Sequence, residues 1–291
     1  MIDAHTHFFS EEASADVQSW GLSRNEKYWS MLVGERPDGK LSLQGFPNEK
    51  KFLNDMDEAQ IERAFIMGWY WQNYETCVEE NLRISALVKR HPDRLSAFAA
   101  ILPTNKKSIE IAKTARDMGF CGLGELHDGV QNFSFKSPIF EEILQISAIE
   151  KLAINIHITE NTPRMYQGKT PTKTAEAIEV AKKHLDVNFI FAHWCGNLVF
   201  ENIDDVKSPN IFFDSAATQF IASKDAFSLA EGNPTLANSI IYGTDYPLRL
   251  YPKLFKEEEM TTAATFARNS VSKNFAKNLF TNNCSKAIKI L

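Results

Sequence analysis

A (β/α)8 barrel is the fold class this sequence predicts. Eight short apolar runs recur along the chain, each followed by a segment of helical character. Most of the runs are apolar on both alternating faces, as parallel strands covered on each side require. The competing α/β layout, a doubly wound sheet, needs a glycine-rich phosphate loop after its first strand. "HTHFFSEEA" stands there instead. Eight strand–helix units are the count of the barrel.

In order, the predicted strands are 1–8 (MIDAHTHF), 63–69 (RAFIMGW), 95–101 (LSAFAAI) and 121–127 (CGLGELH). Four more follow at 152–158 (LAINIHI), 187–194 (VNFIFAHW), 210–216 (NIFFDSA) and 239–246 (SIIYGTDY). Residues 9–48 are expected to be one long irregular stretch, a lid or binding loop over the C-terminal face, with Trp29 and Phe46 as its lid candidates. In "SPIFEEILQISAIEK" Ser137 caps a helix and Pro138 takes its first position. In "PTKTAEAIEVAKKHL" Ala175, Ile178, Ala181 and Leu185 make an apolar stripe. The tail "TTAATFARNSVSKNFAKNLFTNNCSKAIKIL" predicts two helices packed outside the barrel. No linker and no internal repeat divides the chain, so residues 1–291 are expected to form one domain.

Bulk properties narrow the class. A formal charge of −5 argues against a nucleic-acid partner, which calls for a basic face. No stretch approaches the roughly 18 unbroken apolar residues of a membrane span. Strand-like sequence from residue 2 leaves no room for a secretory leader, and Cys77, Cys121, Cys195 and Cys284 are scattered without framework spacing. The expected setting is cytoplasmic, and the expected partner is a small-molecule substrate. Assembly as a homodimer is left open.

The polar residues fall in a pattern. Each run that carries a histidine or an acid of note carries it at its C-terminal end: His5 and His7, Glu125 and His127, His157, His193 and Asp245. In a parallel barrel these ends converge on one face. Chance alone yields about 0.17 His-x-His pairs from seven histidines in 291 residues, so the pair by itself is a weak signal. Its conjunction with single histidines on strands five and six and with "GTD" on strand eight is the strong one. Imidazole and carboxylate are the usual ligands of a catalytic zinc, and such an ion brings the pKa of its water down to about 7. A carboxylate beside it serves as general base, and a further histidine stabilises developing charge.

"IDAHTHF", "NIHITEN", "FAHWCGN" and "IYGTDYPL", with "NNCSKAIKIL" at the end, resemble the amidohydrolase superfamily, in particular the amidohydrolase-2 branch that contains aminocarboxymuconate-semialdehyde decarboxylase. The resemblance implies that His5, His7 and His157 bind a divalent metal, zinc first among the candidates, and that Asp245 is the fourth protein ligand and the proton acceptor. It implies that His193 is the catalytic histidine. "GLGELHDG" also resembles the TatD-type nucleases, whose matching glutamate binds metal. Glu125 is therefore a candidate ligand, and a second ion could enter through Glu125 and His193.

Around these residues, Trp69 and Trp71 (with Tyr70 between them), His127, Arg164, Trp194 and Arg249 are candidates for contact with substrate. Either arginine could clamp a carboxylate in a bidentate fork. The leading expectation is a metal-dependent hydrolase of a small carboxylated lactone, amide or ester. A non-oxidative decarboxylase of a small or aromatic acid is the alternative. A TatD-like nuclease and a barrel that holds its metal without turnover stand behind both.

Overall fold

Strands Ile2–Thr6 (β1), Arg63–Ile66 (β2), Leu95–Ala99 (β3), Phe120–Leu126 (β4), Ala153–Ile156 (β5), Phe189–Phe191 (β6), Ile211–Asp214 (β7) and Ile240–Ile241 (β8) pair in sequence order, all parallel. β8 returns to β1: Ala4 N–H donates to Tyr242 O at 2.8 Å and Asp245 N–H to His5 O at 2.9 Å, so the sheet nearly closes into a barrel. The computed structural model describes residues 1–34, 42–163, 165–249 and 257–290. All eight predicted strands are present; β4 keeps the length of its run, and the other seven are shorter because the last residues of each run bend into the loops of the C-terminal mouth.

Two apolar layers hold the barrel. Inside it, Ala4, Phe65, Phe98, Cys121, Ala153, Ile190 and Phe212 meet Cys284, Ala287 and Ile288 from the chain's last helical segment. Outside it, strand residues of the opposite alternation pack against the helices. The helix at 138–150 begins as predicted, with Ser137 Oγ accepting from Phe140 N–H at 3.2 Å. In the helix Thr174–Lys183 the buried stripe is Ala177, Ile178, Val180 and Ala181; Ala175 and Leu185 are exposed. Ile178 and Ala181 of the expected stripe are buried; the correction is that Ala177 and Val180, beside them on the face turned to the sheet, take the places of Ala175 and Leu185. Among the described residues no helix is long and apolar enough to cross a membrane.

The stretch after β1 departs most from expectation. Three short helices, Glu11–Ala15 (α1), Val17–Ser23 (α2) and Lys27–Val33 (α3), precede the helix Glu49–Glu58 (α4). Ser10 and Asp16 cap the first two through their side-chain oxygens. Over residues 9–34 the insert is an ordered roof rather than an irregular loop because aromatic rings fill it: Trp29 lies 4.7 Å from Phe9 and 5.2 Å from Trp71, centroid to centroid, and Trp20 lies 5.3 Å from Trp71. Residues 35–41 of the expected loop lie outside the described residues. Glu26 then ties it to the start of the helix Tyr74–Arg90 (α5), accepting Gln72 N–H at 2.7 Å and Asn73 N–H at 3.0 Å. Trp29 is fully buried. Trp29→Ala is expected to destabilise the protein by about 3–5 kcal/mol in urea unfolding. A loss under about 1 kcal/mol would show that the roof does not depend on its aromatic cluster.

Candidate metal centre

His5 and His7 end β1 with both rings on the barrel's inner side, their Nε2 atoms 3.3 Å apart. Asp245 comes from the "GTD" turn after β8. Gly243 allows the approach, since a Cβ there would sit 2.7 Å from His5 Cβ. Asp245 Oδ1 lies 3.5 Å from His7 Nε2 and 3.8 Å from His5 Nε2. Beneath the turn Asp3 accepts Thr244 N–H at 3.1 Å and Thr244 Oγ1–H at 2.6 Å, so it braces the site from below.

Glu125 near the end of β4 occupies the middle of the cluster. Its Oε2 is 3.8 Å from His7 Nε2 and 4.0 Å from His5 Nε2, while its Oε1 is 2.8 Å from His157 Nδ1 and 3.3 Å from His193 Nε2. Two groups able to hold an ion therefore share it: His5, His7 and Glu125, and Glu125, His157 and His193. This grouping differs from the expected quartet, since His157 approaches Glu125 and His193 rather than the His5–His7 pair. His193 opens a run of left-handed residues, with φ of 59°, 55° and 50° at His193, Trp194 and Cys195. Such backbone is uncommon outside glycine, and here it aims the imidazole into the mouth.

Three carboxylates dominate the electrostatics. Burial disfavours a charged ring at His5, yet Asp214, Glu125 and Asp245 outweigh it and push its pKa up to about 10. His193 rises to about 9 against the same burial, through its hydrogen bond to Glu125 and the charge of Asp245. Burial and the neighbouring His5 bring His7 down to about 4. Burial works against the charge of Glu125, but His157, His193 and His5 hold it well below the usual carboxylate range. The same negative field answers a divalent cation. A tetrahedral ion with bonds of about 2.0–2.2 Å keeps neighbouring donors about 3.4 Å apart. The spacings of 3.3–4.0 Å that separate His5 and His7 from each other and from Asp245 and Glu125 fit that demand.

The cluster floors a cavity of about 490 Å³. Trp69, Tyr70, Tyr28, Tyr166 and Phe220 wall it, with Leu32 and Met31 from α3 above and Glu160 in the loop after β5. Trp69 reaches the site as anticipated, 5.6 Å from the His7 ring. Four other candidates do not line the cavity. Trp71 belongs to the roof's aromatic cluster. Trp194 is fully buried behind the turn, its indole N–H bonded to Thr218 Oγ1 at 2.8 Å and its ring against Phe200 and Phe227. His127 is buried behind His157, stacked on it at 4.8 Å. Arg249 directs its guanidinium to the backbone carbonyl oxygens of Ser42 and Gln44, at 3.1 Å for the latter, and so pins a wall of the cavity instead of offering a carboxylate clamp. Arg164 lies outside the described residues.

Sequence reasoning passed over Asp214, Tyr28, Glu160 and Tyr166. Asp214 obeys the same strand-end rule as the other acids, in "IFFD", and its Oδ2 stands 2.9 Å from His5 Nδ1. The other three lie in loops or in the short helix α3, where no period marks the side that faces the cavity.

A barrel with histidines and carboxylates converging on its C-terminal mouth defines a class, the metal-dependent barrel enzymes. The chain belongs to the amidohydrolase family: the family model described as "Amidohydrolase" matches residues 2–264. No curated protein matches its sequence. Among solved structures it is similar to 5-carboxyvanillate decarboxylase LigW from Sphingomonas paucimobilis, with a TM-score of 0.71 at 13% identity over 100% of this chain and 99% of that one. A 5-carboxyvanillate decarboxylase from Novosphingobium aromaticivorans, complexed with manganese and a nitrobenzoic acid, gives 0.70 at 14% identity over 98% and 95%. A 2,6-dihydroxybenzoate decarboxylase from Rhizobium gives 0.66 at 16% identity over 98% and 97%. At these identities the likeness is one of fold.

Proposed function

We propose that the protein is a metal-dependent, non-oxidative decarboxylase that acts on a small aromatic carboxylic acid. The make-up of the cavity carries this reading. An imidazole–carboxylate floor is walled by aromatic rings, and no lysine or arginine stands among the described lining residues. Among the described lining residues, an acid entering it would find cationic partners for its carboxylate only at the floor, in a bound ion and the His193 imidazole, while its ring takes up the flat walls. Taking the carboxylate out of water favours its conversion to neutral CO2. A divalent ion held by His5, His7, Asp245 and Glu125 would supply a Lewis acid that polarises a substrate oxygen. Imidazoles suit zinc and carboxylates suit manganese, so either ion matches the donor set.

The chain's own groups would manage the proton. The carbon bearing the carboxylate takes a proton, the bond to the carboxyl carbon breaks, its electron pair stays with the ring, and CO2 leaves. Asp245 and His193 both line the cavity, with Asp245 Oδ2 3.9 Å from His193 Nδ1, so these two would serve that carbon as an acid–base pair bridged by a water or by the substrate itself. The fold-level likeness to aromatic-acid decarboxylases supports this reading as analogy. The test is a panel of hydroxybenzoic acids labelled with carbon-13 at the carboxyl group, incubated with zinc- or manganese-loaded protein. Labelled CO2 and bicarbonate are expected by NMR. A panel that stays intact while a lactone, amide or ester is cleaved would overturn the reading.

One observation favours hydrolysis as the second reading. Glu125 is shared by both donor groups, as a bridging carboxylate between two ions would be. Paired ions about 3.5–4 Å apart serve hydrolytic displacement. Two equivalents of metal per chain together with lactone cleavage would select it.

A further inference from the structure

Asp214 lies fully buried at the end of β7. Its two oxygens face different parts of the site. Oδ2 stands 2.9 Å from His5 Nδ1. Oδ1 accepts His193 N–H at 2.9 Å and Ala216 N–H at 3.1 Å. We propose that Asp214 is a positioning residue for both halves of the centre, setting the tautomer of His5 with one oxygen and holding the turn that carries His193 with the other.

The first half follows from donor and acceptor roles. Facing a carboxylate oxygen, His5 Nδ1 holds its proton and donates it, so the proton that a bound ion would displace is the one on Nε2, which frees that atom's lone pair. That Nε2 is the atom 3.3 Å from His7 Nε2, in the donor set proposed for the ion. A carboxylate behind a ligating imidazole fixes ring orientation and basicity in the same way in metal sites generally. The second half follows from the backbone. Three successive residues with positive φ, His193 to Cys195, are unfavourable for side chains with a Cβ. Asp214 anchors the first of them at its N–H. One rigid strand end thus couples the metal-facing imidazole to the acid–base histidine without touching the cavity. The inference rests on the reading of the cluster as a metal site.

Asp214→Asn separates the two roles. The amide oxygen keeps accepting the two backbone N–H groups, while the amide NH2 now faces His5 Nδ1 and drives the ring proton to Nε2, toward the ion. Zinc affinity, measured by competition with a chromogenic chelator, is expected to fall about 10–100-fold. The indole N–H resonance of Trp194, bonded to Thr218 Oγ1, is expected to stay in place. Asp214→Ala loses zinc affinity likewise and also shifts that resonance. In zinc-loaded wild-type protein, nitrogen-15 histidine spectra are expected to show His5 as the Nδ1–H tautomer, a readout that needs no variant to fold. An Nε2–H tautomer at His5, or unchanged zinc affinity in Asp214→Asn, overturns the first role. Identical Trp194 resonances in the Asn and Ala variants overturn the second. Failure of wild-type protein to take up either zinc or manganese overturns the metal reading itself, a result distinct from the others.

Discussion

Stripping divalent ions with a chelator is expected to leave a folded barrel without turnover, and adding back zinc or manganese to restore it. The fold does not hang on the ion. The two apolar layers extend along all eight strands, well beyond the residues beside the cluster, and closure of β8 onto β1 is made by backbone hydrogen bonds. Within the cluster, His5 also pairs with Asp214 and His157 with Glu125, contacts that ligation through the other atoms would leave standing only in part. Thermal unfolding of the stripped protein should therefore remain cooperative. Turnover depends on the ion because the described lining residues offer no lysine or arginine to take its place as electrophile. An ion worth several kcal/mol to the transition state corresponds to a loss of at least about a hundredfold in kcat. Initial rates on whichever acid the labelled panel identifies, taken before and after stripping, check this. Undiminished turnover by protein shown to be metal-free would contradict it.

The second large effect is expected of Asp245→Asn. The amide keeps the shape of the side chain but can neither relay a proton nor match the charge beside His193. With His5, His7 and Glu125 still converging, metal should be retained in part, while kcat falls about 10²–10⁴-fold, the range for a lost acid–base group. His193→Asn is expected to fall in the same range with its metal intact. Because both residues serve one proton path, the double variant should lose little more than either single one. Rates and metal content measured on the same preparations decide it. A kcat for Asp245→Asn within about threefold of wild type would remove the residue from the chemistry.

Much of this architecture is legible in the sequence, for identifiable reasons. A strand buried on both faces has no choice but to be apolar along its length, so runs such as "IFFD" or "FIF" announce themselves. The same geometry makes a histidine at the end of such a run informative, because the fold brings strand ends together. The roof is illegible for the opposite reason. Helices of five and seven residues complete too few turns to show a period, and what orders them is the meeting of Trp20 and Trp29 with Phe9 and Trp71 from elsewhere in the chain.

Within the site, residue type is legible and direction is not. The sharing of Glu125 depends on the register between β4 and β5, which shifts between Leu123 and Leu126. Trp194 stands next to His193 in sequence yet turns away from the cavity, because the left-handed run sends successive side chains in directions no strand alternation predicts. Arg249 looks like a carboxylate clamp until the carbonyl groups of Ser42 and Gln44 claim it. Asp214 needed only the strand-end rule applied to β7, where no neighbouring histidine drew attention to the acid.

All of the proposed chemistry requires that the cluster at the barrel's C-terminal mouth hold a divalent ion. Diffraction from zinc-loaded crystals, recorded on both sides of the zinc absorption edge, tests it most directly. An anomalous peak enclosed by His5, His7, Asp245 and Glu125 is expected, with a second peak beside His157 and His193 if the two-ion arrangement holds. No peak at this cluster, or a peak bound elsewhere on the molecule, would contradict it.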